Sequence, residues 1–272
     1  MKIYKNLIDA IVKTLATIFD ENRYADKAIE YLFKEQPKWG GRDRRFVAET
    51  MYDIVRQYRL LHELSGNQNN RYHIVGIYLL LRGYDLPAWD EFAGIDKKHL
   101  QQKISEVQGN RAVFQSVPDW MDELGYAELP YKWNKELEAL NNQAAVVLRG
   151  NTLKTSTQSL QTQLSKEGIE TERIKDTDAL ILKERKNVFT SALFKQGLFE
   201  IQDASSQLVA GFLRAAEGQT IIDACAGAGG KALHIAALTK NKSKLIAMDV
   251  EEKKLTELQR RAKRAGAKIE SK

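Results

Sequence analysis

The residues best suited to chemistry lie in one glycine-rich segment, residues 223–231, which reads Asp-Ala-Cys-Ala-Gly-Ala-Gly-Gly-Lys. The apolar residues before it predict a buried parallel strand at 220–224, and the residues after it predict a helix at 231–238. Glycines at such a turn let the backbone approach a ligand, and the N–H groups of the first helical turn favour negative charge. The segment therefore predicts either a ligand-binding loop or a tight turn that holds no ligand.

An acidic residue follows at the spacing that nucleotide-binding folds use. Asp249 lies 19 residues after Gly230, at the end of a second predicted strand, 244–249. An acid there can accept hydrogen bonds from both hydroxyls of a ribose, so the loop and the acid together predict an adenosyl-type ligand. The alternative is that Asp249 caps the next predicted helix, 251–265. The spacing leaves NAD and S-adenosylmethionine both open, because residues 227–232 also fit the dinucleotide fingerprint.

Few other residues are candidates for chemistry. Cys225 is the only cysteine, which excludes a disulfide framework and a cysteine zinc site and indicates a reducing, cytoplasmic compartment. The favoured interpretation of Cys225 is a small, buried, apolar residue. The histidines show no metal-ligand spacing, so no metal site is predicted. The four histidines of the sequence are His62, His73, His99 and His234.

The first part of the chain, to about residue 140, predicts a bundle of helices. Apolar residues recur there at helical spacing, with clear helices near the N-terminus, at 45–64 and at 72–81. The apolar face of the first helix comprises Leu7, Ile8, Ile11, Val12, Leu15, Ile18 and Phe19. Arginines near the second helix predict either phosphate contacts or a solvated face with local ion pairs. These arginines are Arg42, Arg44, Arg45, Arg56 and Arg59.

After residue 141 the pattern changes to short strands and helices. Strands are predicted at 144–149, 171–174 and 179–182, with a helix at 160–168. This arrangement is a small α+β unit of the size of an RNA-recognition (RRM-like) module. The stacking aromatics of such modules are missing from it, so RNA recognition by this unit alone is only weakly indicated.

From about residue 200 the order strand, loop, helix, strand, helix predicts the first half of a doubly wound, Rossmann-like sheet. The predicted fold class is therefore multidomain α and α/β. Its domains are a helical bundle at 1–140, a small α+β module at 141–200 and half of a Rossmann-like sheet at 201–272.

The composition excludes several classes of protein. With 272 residues, 43% of them apolar, the chain can form more than one packed core. No apolar run approaches the ~18 residues that cross a bilayer, which excludes an integral membrane protein. The 42 Lys and Arg residues outnumber the 36 Asp and Glu residues, and the net charge of +6 weakly favours a polyanionic partner such as RNA.

Residues 223–231 resemble motif I of the Sun/Fmu family of S-adenosylmethionine-dependent RNA (cytosine-5) methyltransferases. Residues 43–47 are similar to the NusB-like helical domain that some bacterial members of this family carry. Further segments match the family in the expected order along the chain. They are residues 148–154, residues 202–209 and the basic helix end at Arg261, Arg264 and Gly266.

The resemblance implies S-adenosyl-L-methionine as the cofactor and RNA, ribosomal by family, as the partner. It assigns Asp249 to the ribose. Two residues depart from the family, which commonly has proline at the position of Ala228 and threonine at that of Ala232. The resemblance assigns the methionine and sugar of the cofactor to one loop. The loop residues are Cys225, Ala226, Gly227, Ala228, Gly229, Gly230 and Lys231.

Methylation of cytosine C5 needs a covalent step, because that carbon is not nucleophilic until a cysteine thiolate has added to C6. The family supplies cysteines in Thr-Cys and Pro-Cys contexts, and neither context occurs here, where Cys225 belongs to the loop. We therefore expect no catalytic residue and no methylation by this chain. We also expect either a natural protein that continues past Lys272 or self-association through the incomplete sheet edge. The alternatives are a non-catalytic RNA-binding protein and an NAD-binding oxidoreductase.

Overall fold

The structure, a computed structural model, describes residues 2–66 and 70–272. The chain forms two compact units, Met1–Asn142 and Gln143–Lys272. The first unit is helical and the second contains two β-sheets, so the mixed α and α/β class is confirmed. The division of the second unit at residue 200 remains a prediction.

The first six helices of the first unit pack around one apolar core. Ile8, Ile11 and Leu15 of α1 and Val75 and Leu79 of α5 are each exposed by 1% or less. The apolar spacing predicted this packing, because residues three and four apart share a helix face. Across residues 2–66 and 70–272, no helix combines the length and apolarity that a bilayer crossing needs. The helices are α1 (Lys5–Asp20), α2 (Ala25–Glu35), α3 (Gly41–Arg56), α4 (Tyr58–Leu64), α5 (Arg71–Leu81), α6 (Lys97–Val107), α7 (Arg111–Phe114), α8 (Asp119–Glu128) and α9 (Trp133–Asn141).

The single helix predicted at 45–64 was wrong, because α3 and α4 are separate. Gln57 leaves helical geometry between them, with φ of −105° and ψ of 21°. Ile54 and Leu61, on either side of the break, are both fully buried. The apolar pattern therefore continues across the break, and periodicity alone could not show it.

The second unit begins with a four-stranded antiparallel sheet in the order β2-β3-β1-β4. The chain order βαββαβ with this pairing is a ferredoxin-like topology. The strands predicted from sequence correspond to β1, β2 and β3. The fourth strand was not predicted, because three residues are too few to show alternation. The elements are β1 (Val147–Gly150), α10 (Thr157–Lys166), β2 (Thr171–Arg173), β3 (Ala179–Leu182), α11 (Ala192–Lys195) and β4 (Phe199–Ile201).

One face of this sheet packs against α10. Leu148 of β1, Leu180 of β3 and Phe199 of β4 are fully buried there with Leu160 and Leu164 of α10. Strand β1 lies between β3 and β4, and all four of its residues are buried. The central position of β1 therefore places both of its faces away from water.

A three-stranded parallel sheet, in the order β5-β6-β7, follows in the same unit. Helices connect its strands, so the predicted strand–helix alternation is confirmed. A further helix that was not predicted, α12, precedes the sheet. The elements are α12 (Ala204–Phe212), β5 (Thr220–Asp223), α13 (Gly230–Leu238), β6 (Lys244–Ala247), α14 (Glu252–Ala265) and β7 (Glu270–Ser271).

The prediction that the first strand of this sheet is buried was wrong. Thr220 is exposed, and Ile222 is 61% exposed. Strand β5 lies at the edge of the sheet and, within the described residues, pairs with β6 alone. Its apolar composition therefore does not translate into burial.

Candidate cofactor-binding site

The glycine loop joins β5 to α13. Gly229 is the N-cap residue of α13 with φ of +84°, and Gly227 has φ of +54°. A Cβ atom at Gly229 would lie 2.7 Å from the Cγ atom of Leu258, so glycine is needed there for both conformation and space. The N-cap residue provides no side-chain hydrogen bond to the helix. The N–H groups of the first turn are therefore suited to a polar or anionic ligand.

Asp249 lies beyond the end of β6 and contacts the glycine loop directly. Its Oδ2 atom accepts a 2.8 Å hydrogen bond from the N–H group of Gly227, and its Oδ1 atom accepts one of 3.0 Å from Glu251. Hydrogen bonds from the N–H groups of Glu251 and Gly227 lower the pKa of the Asp249 carboxyl below its usual range. The structure thus brings the predicted loop and acid together, and Asp249 also holds the turn that leads into α14.

The other predicted cofactor residues lie along the same turn. Ala226 is buried, Ala228 and Gly230 are partly exposed, and Lys231 is exposed. Cys225 is also exposed, so its interpretation as a buried apolar residue was wrong. The reason is its position directly after the edge strand β5, whose outer side no described strand covers.

Sequence reasoning missed a buried charged cluster beside the loop. Glu200 of β4 and Arg149 of β1 are direct partners in the antiparallel register, and each is 3% exposed. The Glu200 carboxylate forms ion pairs with Arg261 and Arg264 of α14. A charged residue within an otherwise apolar predicted strand was the available signal, since arginine is rarely buried without partners.

Arg149 contacts the start of α13. Its Nη1 atom donates a 2.8 Å hydrogen bond to the carbonyl oxygen of Gly230 and another to the Oε1 atom of Gln202. Burial lowers the pKa of Arg149 to about 10, with repulsion from Arg261 in the same direction and attraction to Glu200 opposing it. Arg149 therefore stays charged near neutral pH and donates a charge-assisted hydrogen bond.

A cavity of about 710 Å³ lies beside α12 and α13. Leu208 and Phe212 form an apolar part of its wall, and Asp178 and His234 contribute polar groups. His234 is 7% exposed, and its burial, together with the nearby charge of Arg149, lowers its pKa to about 4. The histidine is therefore neutral near pH 7, and none of the predicted cofactor residues lines this cavity.

The arginine group of the helical unit divides into two kinds. Arg44 donates to two backbone carbonyl groups, and Arg56 and Arg59 form ion pairs with nearby aspartates. Arg42 and Arg45 are exposed. The prediction of local ion pairs is therefore confirmed for Arg56, which pairs with Asp53 on the same helix, whereas Arg59 pairs with the distant Asp119. The exposed Arg42 and Arg45 remain the candidates for phosphate contacts.

Parallel strands joined by helices, with a glycine turn after the first strand and an acid after the second, form a nucleotide-binding type of α/β arrangement. Residues 210–271, which contain this arrangement, match the family model described as 16S rRNA methyltransferase RsmB/F. Residues 117–189 match the model of the ferredoxin-like domain of RsmF/B-like methyltransferases. Both matched models describe RsmB/F-type methyltransferases, so the resemblance to the Sun/Fmu family is confirmed.

Known proteins extend the likeness over most of the chain. Ribosomal RNA small subunit methyltransferase B of Shewanella oneidensis is 28% identical over 259 residues, which cover 85% of this chain and 60% of the relative. The protein of the same name from Pectobacterium carotovorum is 29% identical and covers 94% of this chain and 66% of the relative. The crystal structure of PH0851, 22% identical with a TM-score of 0.72, covers 100% of this chain and 70% of its own and shows the same fold. The chain thus spans about 60% of the length of the Shewanella relative.

Proposed function

We propose that this chain binds S-adenosyl-L-methionine at residues 225–231 and Asp249, as part of a cytoplasmic enzyme that methylates C5 of a cytosine in ribosomal RNA. The hydrogen bond between Asp249 and Gly227 carries the proposal. It ties an acid suited to ribose hydroxyls to a glycine loop at the same end of two paired parallel strands. The match of residues 210–271 to a methyltransferase family model favours a methyl donor over NAD, which the spacing alone left open.

The residues present fit such a cofactor. A Cβ atom built on Gly227 would meet nothing within 4 Å, so the loop is open on that side. Each oxygen of the Asp249 carboxylate already accepts one backbone hydrogen bond and keeps capacity for another. S-adenosylmethionine supplies an electrophilic methyl group when it is bound. The loop would hold and orient it through backbone N–H groups, and Asp249 through the ribose.

Calorimetric titration with S-adenosylhomocysteine and with NADH tests the cofactor. We expect binding of the first ligand only, and about 10-fold weaker binding in Asp249→Asn, which loses a charged acceptor. Glu251→Gln is the matched control, because Glu251 is exposed and its side chain pairs with Lys254 on the protein surface. Binding of NADH alone, or equal affinity of Asp249→Asn and the parent chain, would contradict the proposal.

The proposal does not assign the covalent step of the reaction to these 272 residues. A thiolate must add to cytosine C6, and the one cysteine, Cys225, lies in the proposed cofactor loop. Transfer of labelled methyl groups to 16S ribosomal RNA is expected to equal that of a Cys225→Ser variant, at background. Transfer that Cys225→Ser abolishes while binding of S-adenosylhomocysteine is retained would make Cys225 the nucleophile and would contradict this part of the proposal.

We further propose that the first, helical unit is the NusB-like, RNA-binding part of the protein. We also propose that residues 141–200, which contain the four-stranded sheet, are the RRM-like module. Exposed Arg42 and Arg45 support phosphate contacts. Replacing both with Gln should reduce the slope of log affinity against log salt by about 2, at roughly 0.9 per phosphate. Arg56→Gln is the control, because its guanidinium already pairs with Asp53. RNA binding by a chain that does not bind S-adenosylhomocysteine would favour the alternative, a non-catalytic RNA-binding protein.

Self-association through the edge of the parallel sheet completes the proposal. An exposed apolar side chain on the edge strand supports it, that of Ile222 at 61% exposure. Sedimentation equilibrium should show a concentration-dependent dimer that Ile222→Lys abolishes. A monomer at all concentrations would contradict self-association and leave the cofactor proposal unaffected.

A further inference from the structure

Two charged residues occupy the face of the four-stranded sheet opposite its apolar core. Leu148 and Phe199 point into the core beneath α10. Side chains alternate along a strand, so Arg149 and Glu200, the next residues, point the other way. Both are 3% exposed. Buried charges of this kind are tolerated only with close partners, and the partners of these two identify what the face does.

The first partner is Arg261, which joins Glu200 to the glycine loop. Its Nη2 and Nε atoms donate to Oε2 of Glu200 at 2.9 and 3.2 Å. Its Nη1 atom donates to the carbonyl oxygen of Ala228 at 2.8 Å. One planar guanidinium therefore fixes a loop carbonyl group on one edge while a buried carboxylate holds its other edge. Arg264 occupies the second oxygen of Glu200 and stacks over the ring of Phe194, 4.0 Å from its centroid.

Arg149 holds a second carbonyl group of the same loop, that of Gly230. In a trans peptide the N–H group points opposite to the carbonyl group. Holding the Gly230 carbonyl toward Arg149 therefore turns the N–H group of Lys231 away from the sheet, at the first turn of α13. The four-stranded sheet thus contacts the loop at two of its carbonyl groups, Ala228 and Gly230.

We infer that Glu200 is a positioning residue for the cofactor loop and acts through the guanidinium of Arg261. The inference rests on the proposed function of the loop. It makes the ferredoxin-like part of the chain a structural component of the cofactor site, with Arg261 as the link between Glu200 and the loop. The carboxylate fixes Arg261, and Arg261 fixes the backbone of Ala228, so the loop is preorganised before a ligand arrives.

Glu200→Gln tests the inference with little change of shape, since it removes the charge that orients Arg261. The first measurement is hydrogen exchange at the amides of Gly227 and Gly229, whose N–H groups bond to Asp249 and to the carbonyl group of Ala226. We expect exchange there to accelerate about 10-fold, with an unchanged rate in β1, because the backbone hydrogen bonds of β1 do not involve the Glu200 side chain. The second measurement is affinity for S-adenosylhomocysteine, which should fall about 10-fold.

Glu257→Gln is the matched control, because Glu257 lies on α14, the helix that carries Arg261. Glu257 forms a two-point ion pair with Arg260, at 2.8 and 2.7 Å, on the exposed side of α14. Loop exchange and ligand affinity should both stay at parent values in this variant. Arg261→Gln should reproduce the loop effect of Glu200→Gln, and the double variant should add little to either, because both residues act through one path.

The outcomes separate the inference from the proposed function. Unchanged loop exchange in Glu200→Gln overturns the inference, and so does acceleration that is equal in the loop and in β1, which indicates a general loss of stability. Additive effects of Glu200→Gln and Arg261→Gln overturn it as well. If the parent chain fails to bind S-adenosylhomocysteine, the proposed function fails, while the exchange experiment still decides whether Glu200 positions the loop.

Discussion

The two sheets of the second unit differ in how completely their strands are covered. In the four-stranded sheet the charged Arg149 is 3% exposed, whereas in the parallel sheet the apolar Ile222 is 61% exposed. Strand β1 has a neighbour on each side, and β5 has one neighbour within the described residues. The burial of these two residues therefore depends on how many neighbouring elements cover their strand. The residue type determines whether that burial raises or lowers the free energy of unfolding.

The free-energy cost of burial also differs between the two sheets. A buried guanidinium must recover its hydration through hydrogen bonds, and Arg149 does so with Gly230 and Gln202. An exposed isoleucine needs no partner and forgoes most of the ~2 kcal/mol that its burial would contribute. Substitutions should therefore have large effects in the covered sheet and small ones at the edge.

The largest expected effect comes from a matched pair of glycines, one before β4 and one before β5. Gly197 and Gly218 have φ of +74° and +84°. A Cβ atom at Gly197 would lie 2.1 Å from the carbonyl oxygen of Arg264, and one at Gly218 would meet nothing within 4 Å. Gly197→Ala should cost about 4 kcal/mol, combining backbone strain with overlap, and Gly218→Ala about 1 kcal/mol from strain alone. Urea unfolding followed by far-UV circular dichroism measures both, and equal losses would refute the difference in packing.

The second comparison removes one apolar side chain from each sheet. Leu148 is fully buried in β1, and Ile222 is mostly exposed in β5. Leu148→Ala should lower the free energy of unfolding by about 3 kcal/mol, because it leaves a cavity in a packed core. At concentrations where the chain is monomeric, Ile222→Ala should lower it by less than about 1 kcal/mol, because the side chain is then exposed. A loss in Ile222→Ala as large as that in Leu148→Ala would mean that β5 is covered in solution.

Periodicity and turn chemistry predicted those parts of the fold that depend on neighbours along the chain. Local spacing predicted helices α1 and α5. It also predicted that Asp249 and the glycine loop belong to one site, and the structure places them in contact. Strand β4 and the break at Gln57 were not. Three residues carry too little pattern to indicate a strand, and a break that preserves the apolar register leaves no trace in that register.

The errors at Cys225 and in β5 have a different origin. Cys225 and strand β5 both have the apolar composition of a core. Both are exposed because no described strand pairs with the outer edge of β5, and strand pairing depends on segments that are distant in the sequence. Glu200 shows the converse, since its burial depends on Arg261 and Arg264, more than 60 residues away. No local pattern encodes such a partnership. The sequence therefore predicted the loop of the candidate site and missed the network that supports it.

A third test uses pH, because His234 is buried with a pKa lowered from 6.5 to about 4. Between these values the unfolded chain binds a proton that the folded chain does not. Stability is therefore highest above pH 6.5 and falls as pH decreases toward 4, by at most about 3 kcal/mol. Comparison with His234→Leu isolates this contribution from that of the carboxylates. Parallel stability curves for the two proteins between pH 6.5 and 4 would show that His234 titrates normally.

The smallest expected effect compares two side chains that bridge the same pair of segments. Asn151 is 5% exposed, and its Nδ2 atom donates to the carbonyl groups of Gly197 at 2.7 Å and Ala265 at 2.8 Å. Lys154 makes the parallel contacts in solvent, donating to Gln196 at 2.8 Å and Arg264 at 2.7 Å.

Asn151→Ala should therefore cost about 1–2 kcal/mol, since it leaves buried carbonyl groups without that donor at the end of α14. Lys154→Met should cost less than about 0.5 kcal/mol, because water replaces its ammonium group. Urea unfolding measures both variants. Equal losses in the two variants would mean that solvent reaches the Asn151 contact with α14 as it reaches that of Lys154. The difference between covered and exposed positions would then not apply to the residues that join the four-stranded sheet to α14.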